Sequence, residues 1–240
     1  MRCLLDILRE EKEIRNKGSL YSYTQIVLAY NSNRIEGSRL TEDQTRYLYE
    51  TSTISTLPGD TADANDIIET INHFRCFDFM LDTADEELSE ELIKKYHYYL
   101  KRNSVDELKG YLTPGEYKTR PNTVGNIETA DPAEVSEKLD QLVKTYSGID
   151  TVTINDVIDF HFGFELIHPF QDGNGRAGRM IMFKECLAHD IMPFIIEDKY
   201  KEFYYRGLDQ YKIEKGYLID TCLSAQDKYT EKVSYYYPEF

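Results

Sequence analysis

Basic residues are in short supply in this chain. Its 28 lysines and arginines face 43 aspartates and glutamates, a formal charge of −15 over 240 residues. Binding to nucleic acid without sequence preference is mostly phosphate neutralisation by basic side chains, so no nucleic-acid partner is expected. A small basic pocket for one nucleotide stays open. Cysteine is also sparse: Cys3, Cys76, Cys186 and Cys222 form no CxxC pair, and Cys76 and Cys186 fall in helix-like apolar patterns. Buried free thiols in a reducing compartment fit better than a disulfide framework or a zinc site. No run of about 18 apolar residues is present, which argues against a membrane-spanning helix. The first stretch, Met1–Arg15, is charged and amphipathic rather than signal-like. Together these absences give a cytoplasmic expectation with no membrane partner. Repeats, low-complexity tracts and long linkers are missing too, so the chain reads as one mostly helical unit with enough length for an ordinary core.

What is there is helical periodicity. Leu4, Leu5, Ile7, Leu8 and Ile14 form a first short helix that Gly18 ends. A second runs from about Tyr21 to Glu36, with Gly37 as its natural C′ residue. Thr41 and Gln44 have capping-box spacing. Leu57–Asp60 reads as a turn. Apolar residues recur every three or four positions through Ala62–Leu81 and Ser89–Lys101. Further helices are expected over Pro132–Tyr146, Ile154–Ile167, Asn174–His189, Glu202–Lys215 and Tyr217–Thr230. Gly110–Asp131 differs: its prolines, glycines and threonines suit extended segments around a turn, a small hairpin-like flap.

One stretch carries chemistry: His168-Pro169-Phe170-Gln171-Asp172-Gly173-Asn174-Gly175-Arg176, followed by Arg179. His168 closes an apolar helix and precedes Pro169, which disfavours helical backbone before it. A histidine at such an end can take up a proton near neutral pH. Asp172 offers a hard oxygen ligand suited to Mg²⁺. Gly173, Asn174 and Gly175 let successive backbone N–H groups turn toward one anion, at the start of the next helix. Arg176 and Arg179 are three apart, share a helix face, and form a clamp for phosphate oxygens. Turn chemistry alone explains DG or NG. It does not explain a base, a carboxylate, a glycine nest and two in-phase arginines in fixed order.

The run HPFQDGNGR resembles the Fic-family motif HPFx[D/E]GNGR along its whole length, with the second arginine at the family's usual place. The resemblance implies an all-α, Fic-like helical bundle with a small β-hairpin flap. It also implies an enzyme that transfers AMP from ATP to a Ser, Thr or Tyr hydroxyl of a target protein. Carried over, His168 is the expected base that deprotonates the hydroxyl. Asp172 is the expected Mg²⁺ ligand, and Gly173, Asn174 and Gly175 the anion hole. Arg176 and Arg179 are the expected partners of the β- and γ-phosphates, with Phe170 anchoring the loop. Doc-like kinases of the same family carry lysine where Gly175 stands, so glycine favours nucleotidyl transfer. The flap residues Val124, Gly125, Asn126 and Ile127 would pair by backbone with an extended target segment. Tyr204 and Tyr205 resemble an aromatic pair lining the adenine pocket, with Tyr205 the stacking residue.

Upstream, Ser32-Asn33-Arg34-Ile35-Glu36-Gly37 resembles the family's inhibitory pattern [S/T]xxxEG. It implies that Glu36, four residues from Ser32 on one helix face, pairs with Arg179 and takes the γ-phosphate's place. The resulting division is an inhibitory N-terminal extension (1–61), a Fic core (62–230) and a C-terminal tail (231–240). ATP and Mg²⁺ are the implied substrate and cofactor. Self-modification is implied, and a homodimer is left open. Two other readings compete: removal of AMP from a target by a water that Glu36 positions, and a non-catalytic module that binds nucleotide to order its flap. Neither the target nor the preference for ATP over UTP or GTP is written in the motif.

Overall fold

Most helix starts in this chain are fixed by short polar side chains that accept from the backbone one turn ahead, which satisfies donors the helix leaves unpaired. Ser19 accepts from Ser22 N–H and opens α2 (Leu20–Ile35), which follows α1 (Leu4–Ile14). Thr41 and Gln44 form a reciprocal capping box at α3 (Glu42–Thr51). Asp63 caps α4 (Ala64–Asp82), Ser89 caps α5 (Glu90–Lys101), and Ser104 opens the single turn α6 (Val105–Leu108). Beyond a 3₁₀ turn at Pro132–Glu134 lies α7 (Val135–Ser147). Thr153 and Asp156 make a second capping box at α8 (Ile154–Ile167). The remaining helices are α9 (Asn174–Ala188), α10 (Lys201–Gln210) and α11 (Gly216–Tyr236). The structure, a computed structural model, describes residues 3–54, 61–124 and 127–240. The turn expected at Leu57–Asp60 lies outside them.

The main apolar cluster draws on both ends of the chain. Leu4, Leu8, Leu20, Tyr21 and Leu28 of α1 and α2 meet Phe77 and Met80 of α4, Phe164 of α8, Phe183 of α9, and Tyr229 and Val233 of α11. Residues before 62 therefore share the core with the central helices. A second cluster joins α8 and α9 to α10 and α11 through Val157, Ile158, Met182, Cys186, Tyr204, Leu208, Leu218 and Cys222. Ile35, the last residue of α2, is buried in that second cluster. Burial of such a side chain stabilises by about 2 kcal/mol, which pins the end of α2 against α10. The four cysteines are free, three of them buried.

Several boundaries differ from those the sequence suggests. The tail expected from 231 is instead the end of α11, which runs to Tyr236. Val233 lies one turn past Tyr229 on the same buried face, so the apolar stripe continues. The helix expected over Glu202–Lys215 stops at Gln210. There Tyr211 turns inward and donates to Asp159 Oδ1 at 2.9 Å. Between α6 and α7 the chain is largely irregular. Its only described ladder is β1 (Thr123–Val124) against β2 (Ile127–Glu128), antiparallel, with Thr123 opposite Glu128. Gly125 and Asn126 lie outside the described residues. Among those described, no helix is long and apolar enough to cross a membrane.

Candidate active site

The six-residue link between α8 and α9 is held rigidly. His168 is the left-handed cap of α8 (φ 49, ψ 63), and its N–H donates to Phe164 O at 2.8 Å. A non-glycine residue holds that backbone conformation only where its surroundings enforce it. Pro169 removes the helical alternative. Phe170 is fully buried and stacks face to face on His97 of α5, centroids 3.8 Å apart. Asn174 clasps the loop from the other side: its Oδ1 accepts from Phe170 N–H and its Nδ2 donates to Phe170 O, both at 2.8 Å. Its side chain is thus committed to loop closure, and an anion would meet only the backbone here. Gly173 is left-handed (φ 80), and a Cβ there would sit 3.1 Å from Lys101 Cγ and Cδ.

His97 shows how the loop is carried. Its Nδ1 accepts from Gly115 N–H at 2.9 Å, and its Nε2 donates to Asp172 O at 3.0 Å. Those two bonds require the neutral ring. Burial, with the charges of Lys101 and Arg176 nearby, keeps its pKa at about 3 despite the opposing pull of Asp172.

One turn further along α5, Lys101 is fully buried and gathers three carboxylates. Its Nζ donates to Asp172 Oδ2 at 2.5 Å, to Asp106 Oδ2 at 3.2 Å, and to Glu69. Arg176 closes the network, donating to Glu69 Oε2 at 2.5 Å and Asp172 Oδ2 at 3.2 Å. Burial pushes the Asp172 carboxyl up, but Arg176 and Lys101 outweigh it and hold it well below the usual range. Glu69, Asp106 and Asp172 come within 4.8 Å of one another, and the Lys101 ammonium sits among them. Asp172 remains 42% exposed at its side chain. It is therefore an ionised carboxylate with an edge toward solvent, a donor that suits a hard cation such as Mg²⁺.

Arg179 is committed elsewhere. Its Nε donates to Ser32 Oγ at 3.0 Å, and one terminal nitrogen donates to Ser32 O at 2.9 Å and Glu36 Oε1 at 2.7 Å. Ser32 and Glu36 thus meet through the guanidinium they share. Glu36 can reach it because α2 ends there. Gly37 takes φ 98, and Gly37 and Ser38 donate back to Arg34 O and Asn33 O in a closing turn. The Glu36 carboxylate also lies directly over Gly175. A Cβ on Gly175 would overlap Glu36 Oε1 and lie 2.9 Å from Arg179 Nη1. The glutamate can dock in this position because residue 175 has no side chain.

The two tyrosines separate. Tyr204 is buried in the second cluster, with its hydroxyl 2.7 Å from His161 Nε2 and its ring 5.9 Å from the Arg179 guanidinium. It lies beneath Arg179, packed within the second apolar cluster. Tyr205, one residue on and about 100° around the helix, is 40% exposed. Its hydroxyl donates to Ile35 O at 3.1 Å, next to Glu36. Val124 and Ile127 fall in β1 and β2. The root of that ladder is tied to the end of α8 by Lys118, whose Nζ donates to Asn122 Oδ1 and Thr129 Oγ1, both at 2.7 Å, and to Ile167 O at 3.2 Å. Burial lowers its pKa to about 8.

Sequence reasoning missed His97, Lys101, Glu69, Lys118 and Glu165. One signal was available: His97 and Lys101 are four apart on one face of a helix, an unusual pair for an otherwise apolar stripe. Glu165, three before His168, is buried and has Oε2 3.5 Å from His168 Nδ1.

The site is thus a glycine-containing loop between two largely buried helices, with a histidine at its head and two arginines behind it. Residues 87–186 match the Fic/DOC family model. The chain is 26% identical over 192 residues to protein adenylyltransferase fic-1 of Caenorhabditis elegans, covering 77% of this chain and 36% of that protein. It is 24% identical over 219 residues to protein adenylyltransferase Fic of Drosophila mojavensis, covering 86% and 40%. The chain spans less than half the length of these relatives. In fold it is similar to a Fic-domain-containing signaling protein from Bacteroides thetaiotaomicron, with a TM-score of 0.72, 23% identity, and coverage of 96% of this chain and 90% of that one. Fic-1 from C. elegans gives a TM-score of 0.72 at 21% identity, covering 95% and 68%.

Proposed function

We propose that this protein transfers AMP from ATP to a hydroxyl side chain of a target protein, and that Glu36 restrains the transfer. His168 takes the proton of the acceptor hydroxyl. The backbone donors of Gly173, Asn174 and Gly175 face the transferred phosphate, a fixed set of dipoles that needs no reorganisation during the reaction. Arg176, locked by Glu69 and Asp172, meets the β-phosphate, and Arg179 the γ-phosphate. Asp172 would hold Mg²⁺, which would supply positive charge against the phosphates. Tyr205 offers the exposed ring at the adenine end, and the segment around Val124–Ile127 receives the acceptor peptide. The observation that carries the reading is the Glu36 carboxylate held by Arg179, which also binds Ser32, and lying over Gly175. On this reading the carboxylate competes with a nucleotide phosphate for Arg179.

The test is incubation with ATP labelled at the α-phosphorus, Mg²⁺ and a pool of candidate protein acceptors. Labelling should be weak with the wild type and at least about tenfold stronger with Glu36→Gly. His168→Ala in that background should remove about 10²–10⁴-fold, the range for a lost general base, while ATP still binds. Equal labelling by wild type and Glu36→Gly would remove the inhibitory role. Loss of AMP from pre-labelled acceptors, dependent on Glu36, would instead favour the reverse reaction.

A further inference from the structure

Beneath His168 lies a buried polar group that the roles above leave unused. Glu165 is one turn back on α8, only 8% exposed at its side chain, and Oε2 faces His168 Nδ1 at 3.5 Å. Among the described residues Nδ1 has no hydrogen-bond partner, so Glu165 is the one polar group poised to orient it. That separation is longer than a good hydrogen bond, as catalytic contacts often are before substrate closes the site. Glu165 is itself boxed in. His161 Nε2 lies 4.0 Å from Oε1, and the missing side chain at Gly178 lets α9 approach within contact of both. A Cβ at Gly178 would lie 2.8 Å from the His161 ring and 3.0 Å from Glu165 Oε1. The charged and titratable groups facing Glu165 are His161 and His168 on α8 or its cap, Arg179 on α9, and Tyr204 and Tyr205 on α10. Burial pushes the Glu165 carboxyl up, but His168, His161 and Arg179 together hold it below its usual value. The left-handed backbone of His168 fixes the direction of its Cα–Cβ bond.

We infer that Glu165 is a positioning residue for the base: it accepts from His168 Nδ1–H, fixes that tautomer, and stabilises the imidazolium formed during transfer. The inference rests on the transfer reading for its kinetic consequence and on geometry alone for the tautomer. With Nδ1 protonated and facing Glu165, Nε2 carries the lone pair. As the acceptor O–H bond breaks, its proton passes to Nε2 and the oxygen bonds the α-phosphorus. The bridging P–O bond to the β-phosphate breaks, and pyrophosphate leaves with the electron pair. The imidazolium then lies beside a carboxylate that remains ionised, as in other base–orienter pairs.

The test has two readouts. In protein labelled with ¹⁵N-histidine, with His168 assigned through His168→Ala, the ring ¹⁵N shifts near pH 8 report the tautomer without any nucleotide. The wild type should hold Nδ1–H. Glu165→Gln, of nearly the same shape, should keep it because an amide oxygen still accepts. Glu165→Leu should move the ring toward Nε2–H. In the Glu36→Gly background, kcat for AMP transfer should fall about tenfold with Glu165→Gln and about 10²-fold with Glu165→Leu, with KM for ATP unchanged. A wild-type ring already in the Nε2–H form, or a leucine variant with the wild-type tautomer, overturns the inference. So does a Glu165→Gln enzyme with unchanged kcat. If no variant transfers AMP while the tautomer still follows residue 165, the transfer reading fails and the positioning of His168 stands.

Discussion

Gly175 makes room at this site for the charged pair beside it. Its bare Cα lets the Glu36 carboxylate descend onto the loop while Arg179 holds it from the side. Gly175→Ala should therefore destabilise the fold by about 1–3 kcal/mol, the usual cost of overpacking. Part of that cost should vanish when Glu36→Gly is added, because the second change removes the atom that collides. A double-mutant cycle in urea measures this coupling, and strict additivity would mean that the two residues do not touch. The sequence made the glycine legible as a choice between transfer reactions. Its steric fit to Glu36 was not legible, because the two lie far apart in the chain. Tyr204 and Tyr205 make a similar point. Adjacent letters gave no ground for separating them, yet the helix turns one into the core and the other to the surface.

At the scale of elements, the proposed inhibitory device is the end of one helix. α2 is pinned by Ile35 in the second apolar cluster, and the Tyr205 hydroxyl grips the Ile35 carbonyl from α10. Tyr205→Phe keeps the ring and removes that bond, whose net worth is about 0.5–1.5 kcal/mol. If the grip holds Glu36 in place, basal AMP transfer should rise by about two- to tenfold in labelling assays. A rate unchanged or lowered would assign Tyr205 to the nucleotide alone. The helices were largely readable, since periodicity and caps such as Thr41–Gln44 and Thr153–Asp156 are local signals. What the flap region does was not. Its root is set by Lys118 reaching Asn122, Thr129 and Ile167, a long-range arrangement with no periodic trace. The end of α11 was misread for a related reason. Val233 continues a stripe whose neighbours are polar, so the pattern fades before the helix does.

Across the whole molecule, three buried histidines are kept neutral. Burial lowers His73 and His97 to about 3 and His161 to about 4, with nearby arginines helping at His73 and His161 and Lys101 and Arg176 helping at His97. In the unfolded chain each takes up a proton near pH 6.5. Between that value and the folded one, the unfolded state binds more protons, so stability falls as pH falls. The loss should begin near pH 6.5 and reach several kcal/mol by about pH 4.5, at roughly 1.4 kcal/mol per group per pH unit as an upper limit. Urea midpoints across that range check it, and a flat profile would contradict neutral burial. None of this could be read from five histidines in a sequence, because only packing decides which of them lose water.

The central claim is a nucleotidyl-transfer loop held in check by Glu36, and the position of a radiolabel tests it most directly. Glu36→Gly protein is incubated with Mg²⁺, acceptor proteins and ATP labelled either at the α- or at the γ-phosphorus. The account predicts that α-label becomes covalently attached to protein, that γ-label leaves as pyrophosphate, and that wild type gives far less of the first. Attachment of γ-label, or equal α-labelling with and without Glu36, would contradict it.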